Sequence, residues 1–208
     1  MKNADDRRIS IHESGHFVCS MKMRLGEVLC VTIEPKSGEV DETGDQLRGY
    51  VRRRALPMEL MLMAEQRGDR PESVLISDAD TAADIRTYQM KRAGFLNQLI
   101  INAIAGAAAE TELAGGKELF SRSDIFTARR YAAMLVPEAQ VTAFVKSYFD
   151  AMRVQFRGPL RDPTLAVAER LQSQRTIDSA AACLALWEEV RPNATGASDR
   201  INPASPWA

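Results

Sequence analysis

The chain has two histidines, His12 and His16, and they stand four residues apart in the pattern HESGH, with Glu13 directly after the first. Four residues is slightly more than one helical turn. On a helix, both imidazoles therefore share one face and can address one metal ion. Glu13 lies one residue further round, within reach of a water on that metal but poorly set as a ligand. The spacing has meaning only if this segment is helical, and the surrounding residues agree. Positions 5–24 read as a helix with Asp5 and Asp6 in its first turn, where carboxylates suit the positive end of the dipole, and with Gly26 ending it.

HExxH on a helix is the arrangement of zinc peptidases, with the glutamate as general base toward a zinc-activated water. Such a site usually takes three protein ligands and keeps one position open. No histidine remains, and Cys19, Cys30 and Cys183 show no CxxC spacing, so the third ligand must be Asp, Glu or Cys. No third histidine follows at the metzincin spacing, and Cys19 reads as a packing residue. The candidates are Glu110, in IAGAAAETEL, and Asp124, in FSRSDIFTARRYA. Asp124 stands at the start of a helix, where backbone N–H groups keep a carboxylate ionised. Glu110 stands among alanines and needs a partner, either a helix N-terminus or a metal-ligating histidine.

Elsewhere the pattern is mostly helical. Val28 to Ile33 is a β-branched run that reads as a buried strand stopped by Pro35. The acidic stretch SGEVDETGD reads as a loop, and Gly49-Tyr50-Val51 resumes an extended chain, giving a hairpin or small sheet. The strand near Val31 is expected to offer an edge to an extended peptide. Pro57 opens a helix that ends at Gly68, DRPESV is a loop, and Asp78 or Asp80 caps a helix running to about Arg92. Gly94 punctuates, and 95–113, apolar on nearly all sides, reads as a separate central helix stopped by Gly115-Gly116. Ser121 or Ser123 caps the next helix, Pro137 opens another that reaches Arg157, and two more cover 163–173 and 177–190. Met58, Met61 and Met63 read as core or soft interface.

Composition narrows the class further. The formal net charge of -1 argues against a nucleic-acid binder, and Arg52-Arg53-Arg54 reads as a solvated face. Phe95 to Gly116 is broken by Asn97, Gln98, Asn102, Glu110 and Glu112, so no membrane span is expected. The polar start MKNADDRRIS lacks the apolar core of a signal peptide, and three cysteines make no disulfide framework. The expectation is a cytoplasmic protein with one domain over 1–191 and a disordered tail over 192–208.

Five segments in order resemble the peptidase domain of the FtsH-type ATP-dependent zinc metalloproteases. HESGHFV is similar to HEAGHA, and CVTIEP with the later GYV resembles VTIxPRG…GYT. INAIAGAAAETELAGG resembles the laGRaAEel segment, SRSDIFTARRYAAMLV the SNDLxxATxxAxxMV helix, and LAVAERLQSQRTIDSAA the LLExETLxG region. Together they cover roughly 9–185. The resemblance implies Zn²⁺ on His12, His16 and Asp124, with Glu13 catalytic and Glu110 supporting the ligands. Departures include Ala107 in place of the arginine of GRAAE, Phe17 in place of the alanine after the second histidine, and a longer stretch from Pro57 to Gly94. The sequence holds no GxxxxGK[ST], so neither the family's ATPase module nor its membrane anchor is expected.

The resulting expectation is a mainly α (α+β) fold, a helical zincin-like metallopeptidase domain with a small β-sheet or hairpin after the HExxH helix. Its substrates would be peptides or unfolded proteins, and the family's rings imply a homo-oligomer. The alternative is a protease-like binding or assembly domain, inactive or acting with a separate ATPase partner.

Overall fold

The computed structural model describes residues 2–34, 49–74, 81–115 and 122–191. Helix α1 spans Lys2–Met23, and its end is set by backbone geometry. Arg24 and Gly26 both take positive φ, 55° and 105°. A Cβ on Gly26 would lie 2.2 Å from the carbonyl oxygen of Arg54, so only glycine lets the chain turn so tightly against its neighbour. Strand β1, Val28–Thr32, follows, and pairs antiparallel with β2, Tyr50–Arg53, with Val31 opposite Val51. Pro35 and the acidic loop after it lie outside the described residues.

Helix α2, Pro57–Gln66, starts with proline at its first position, as the sequence predicts. A 3-10 turn, Pro71–Val74, occupies part of the expected loop. Helix α3 then runs unbroken over Thr81–Leu113, where the sequence predicts two helices parted at Gly94. A glycine inside a helix costs only about 1 kcal/mol relative to alanine. Packing on both sides outweighs that. Tyr88, Phe95, Leu96 and Leu99 bury against Leu25, Met61 and Leu62, while Ile100 to Ala109 enter the main core. Asp78 and Asp80, the expected caps of this helix, lie outside the described residues.

Helices α4 (Arg122–Ala133), α5 (Glu138–Arg157), α6 (Arg161–Gln174) and α7 (Ala180–Val190) complete the helical part. Ser123 falls inside the first turn of α4 rather than before it. Ser121 and the tail from 192 onward lie outside the described residues. The predicted helix over 177–190 is shorter, because Thr176–Ile177 form a two-residue strand β3 and Ser179 caps α7 by accepting from the backbone N–H of Ala182 at 3.1 Å.

That strand corrects the expected sheet edge. The sheet has the order β2-β1-β3, and β1 is its central strand, with Val31 opposite Ile177 and Thr32 opposite Thr176. Both sides of β1 are taken, so the chain near Val31 presents no edge. Among the described residues the fold is mainly helical with one small antiparallel sheet, and α3 is its axis, packed against α1, α4 and α5. Met61 is core while Met63 is 43% exposed. Of the three successive arginines, Arg53 turns inward and binds both carboxylate oxygens of Glu59, at 2.5 and 2.7 Å, so it is not part of a solvated face.

Candidate metal centre

Helices α1 and α3 run antiparallel, and one stripe of each carries the polar chemistry of an otherwise apolar contact. Positions 8, 12, 16 and 20 of α1 meet 110, 106 and 102 of α3, residues spaced by four on each helix and so aligned on one face. Ser20 donates to Asn102 Oδ1 at 2.8 Å, His16 faces the Asn102 carbonyl, and His12 and Arg8 face Glu110. The helices can approach this closely because two glycines lie between them. A Cβ on Gly15 would be 2.6 Å from the Ala105 carbonyl oxygen, and one on Gly106 would be 2.4 Å from His16 Nε2.

His16 Nδ1 lies 2.7 Å from the Asn102 carbonyl oxygen and His12 Nδ1 lies 3.2 Å from Glu110 Oε2. Both partners are pure acceptors, so each Nδ1 carries the proton and each Nε2 turns a lone pair inward. Helix α4 brings Asp124 to the same point. Its Oδ2 lies 3.0 Å from His12 Nε2 and 3.4 Å from His16 Nε2, and the two Nε2 atoms are 3.2 Å apart.

With both imidazoles neutral, three lone-pair atoms face one another, an arrangement relieved by positive charge among them, either a metal ion or a proton shared with Asp124. Ligands bonded at about 2.0–2.1 Å in tetrahedral directions lie roughly 3.3–3.4 Å from each other. The three separations are close to that edge, so the residues present fit a small N₂O-coordinated cation. His12, His16 and Asp124 are the one group with this convergence among the described residues.

The electrostatics agree. Burial alone would favour neutral imidazoles, yet Asp124 outweighs it and raises both His12 and His16 above the ordinary histidine value. Burial would likewise raise Asp124, and the two facing histidines instead hold it well below the usual carboxylate range. Positive charge at the centre of the cluster is what the carboxylates around it favour, against burial. Glu110 is lowered too, because bonds from His12 and Arg8 overcome its burial.

Glu13 is buried, and burial pushes its carboxyl up from the ordinary value against the pull of His12 and His16. Gly49, just before β2, packs directly on it. A Cβ there would lie 2.9 Å from Glu13 Cγ and Oε1 and from the Thr32 carbonyl oxygen. The start of β2 thus lies beside the carboxylate.

All five residues singled out from the sequence meet at one place, His12, Glu13, His16, Asp124 and Glu110. Glu110 contacts a histidine, not the convergence point. Cys19 is fully buried in the core, with its thiol pushed up to about 12 by that burial. Sequence reasoning missed Arg8, Asn102, Gly106 and Gly49. A signal for two of them was present, since Asn102, Gly106 and Glu110 interrupt an apolar helix at a period of four. No protein-family model matches this chain, and no curated protein does.

Proposed function

We propose that the chain is a zinc-dependent metalloendopeptidase with a helical zincin-like site that resembles the FtsH-type peptidase domain. The observation that supports this reading most is the convergence of His12 Nε2, His16 Nε2 and Asp124 Oδ2 within hydrogen-bond-like distances, beside a buried Glu13. Two imidazoles and one carboxylate are a zinc ligand set of the catalytic type, with one position left for water or substrate. The chemistry such an ion supplies when bound is Lewis acidity toward a water and a substrate carbonyl.

The protein's own groups do the rest. Glu13 accepts the proton of the attacking water on its carboxylate, and the hydroxyl adds to the scissile carbonyl carbon. Glu13 then gives that proton to the departing amide nitrogen as the C–N bond breaks. One water is consumed, split between the new carboxyl and the new amine. Nδ1 bonds to Asn102 and Glu110 keep both imidazoles in the ligating tautomer throughout.

An extended, unstructured peptide suits the surroundings. Among the described residues β2 has a neighbour on one side only, and its start packs on Glu13. A peptide added along β2 as a further strand would pass its backbone near the base. Flexible tails and unfolded chains can adopt that form without an unfoldase.

The test is a paired measurement on Glu13→Gln. Bound zinc is expected to stay at one equivalent, while cleavage of an unstructured peptide falls about 100- to 10,000-fold. Purified wild-type protein that binds no divalent metal sinks the reading.

A further inference from the structure

His12 and His16 are held in different ways. The acceptor for His16 is a main-chain carbonyl, that of Asn102, fixed by the helix that contains it. The acceptor for His12 is a side chain, Glu110, which has three rotatable bonds and a charge in a largely apolar wall. Left alone, such a carboxylate gains more by swinging toward water than by staying against one imidazole N–H. Something must hold it.

Arg8 is the group in place to do so. It stands one turn before His12 on the same face of α1, and its Nε donates to Glu110 Oε1 at 2.9 Å while its Nη2 donates to the same oxygen. The guanidinium takes Oε1 alone, which leaves Oε2 aimed at His12 Nδ1 at 3.2 Å. The Arg8 side chain is 40% exposed and that of Glu110 only 12%, so the cation is better solvated than the anion it serves.

We infer that Arg8 is a positioning residue for the metal centre, acting through Glu110 to fix the ring orientation and tautomer of His12. The inference rests on the metal-site reading above and deepens it. His12 then has an anchored side-chain support that does for it what the backbone does for His16.

The experiment is a zinc titration of the full chain, first stripped of metal, against a chromophoric chelator. Wild type is expected to bind one equivalent. Arg8→Gln is expected to bind it more weakly by several-fold, up to the roughly 10- to 100-fold that loss of Glu110, the direct partner of His12, would cost. Arg8→Lys should fall between, since it keeps the charge and loses the fork. In a Glu110→Gln background the Arg8→Gln change should add less than about twofold, because the two residues act in series. Cobalt(II) absorption gives a second reading. A reoriented His12 shifts the ligand-field bands of Arg8→Gln, whereas a merely structural role would lower thermal stability of the metal-free protein and leave the spectrum alone. Wild type at one equivalent with Arg8→Gln within about twofold of it overturns the inference and leaves the metal reading standing. Wild type that binds no zinc overturns that reading, and the inference with it. If Arg8→Gln does not fold, Arg8→Lys decides: wild-type affinity and an unchanged cobalt spectrum overturn the inference, while weaker binding with a shifted spectrum supports it.

Discussion

A methyl group on Gly106 would sit 2.4 Å from His16 Nε2, 2.6 Å from His12 Nε2 and 2.7 Å from His12 Cδ2. Those are the atoms whose lone pairs converge, so the smallest possible side chain would press on both imidazoles from the α3 side. Gly106→Ala removes a helix-interior glycine, which by propensity alone gains up to about 1 kcal/mol. The imidazoles must shift, however, and overpacking costs about 1–3 kcal/mol. The expected outcome is a folded protein that binds zinc roughly 100-fold more weakly or worse, a loss at least as large as that from removing an outer-shell partner. Equilibrium dialysis against zinc, with circular dichroism as the check on folding, measures it. Unchanged zinc affinity would contradict the proposed position of the metal. His12, Glu13 and His16 were legible in the sequence because helical spacing is local information and needs no tertiary knowledge. Asp124 and Glu110 could only be narrowed to two candidates by elimination, and the resemblance assigned their roles. The period of four marked Gly106 without saying why, and Arg8 was silent, since what they do depends on which helix lies opposite.

The α1–α3 contact is built on small residues, with Gly15 against Ala105 and Ala109. Gly15 lies between the two histidines in sequence and toward α3 in space, so it sets how deeply both ligands enter. A Cβ at Gly15 would stand 2.6 Å from a main-chain oxygen and 2.8 Å from the Ala109 methyl, neither of which can rotate away. Gly15→Ala must therefore push the helices apart. We expect the metal-free variant to lose about 1–3 kcal/mol in urea unfolding, despite its better helix propensity, and to bind zinc more weakly as well. Stability equal to or above wild type would show that the helices have room which these distances deny. At this scale the sequence was read well for α1, α2 and α5, whose ends carry proline, glycine or charge signals. It was read less well where packing overrides such signals. Gly94 stands in open space, so nothing opposes continuation of the helix, and burial on both flanks carries α3 through it. Thr176 and Ile177 have too few neighbours in sequence to announce a strand. They become one because Thr32 and Val31 lie opposite, and Ile33 N–H donates to the Arg175 carbonyl at 2.9 Å.

His16 and Asp124 lie 108 positions apart in the chain, yet their ligand atoms are 3.4 Å apart. Closing that gap needs α1, α3 and α4 in their final places at once. The larger apolar cluster contains the α1, α3 and α4 residues around the site, and the smaller one binds α2 to the first half of α3. Met23, Tyr131 and Leu135 pack against both, so the two clusters are continuous and not separate cores. A cation held by α1 and α4, with α3 steadying the imidazoles, binds the folded chain and has no assembled site in the unfolded one. Its binding free energy is then added to folding stability, by about 2.7 kcal/mol when free zinc is 100 times its Kd. We expect chelator to lower the melting temperature of wild type and zinc to restore it, in proportion to the logarithm of free zinc. Asp124→Ala should melt at the same temperature with and without zinc, because α4 no longer supplies a ligand to join it to α1. If zinc raises the melting temperature of Asp124→Ala as much as that of wild type, the ion is bound somewhere that does not use α4, and the centre joining α1 to α4 is wrong.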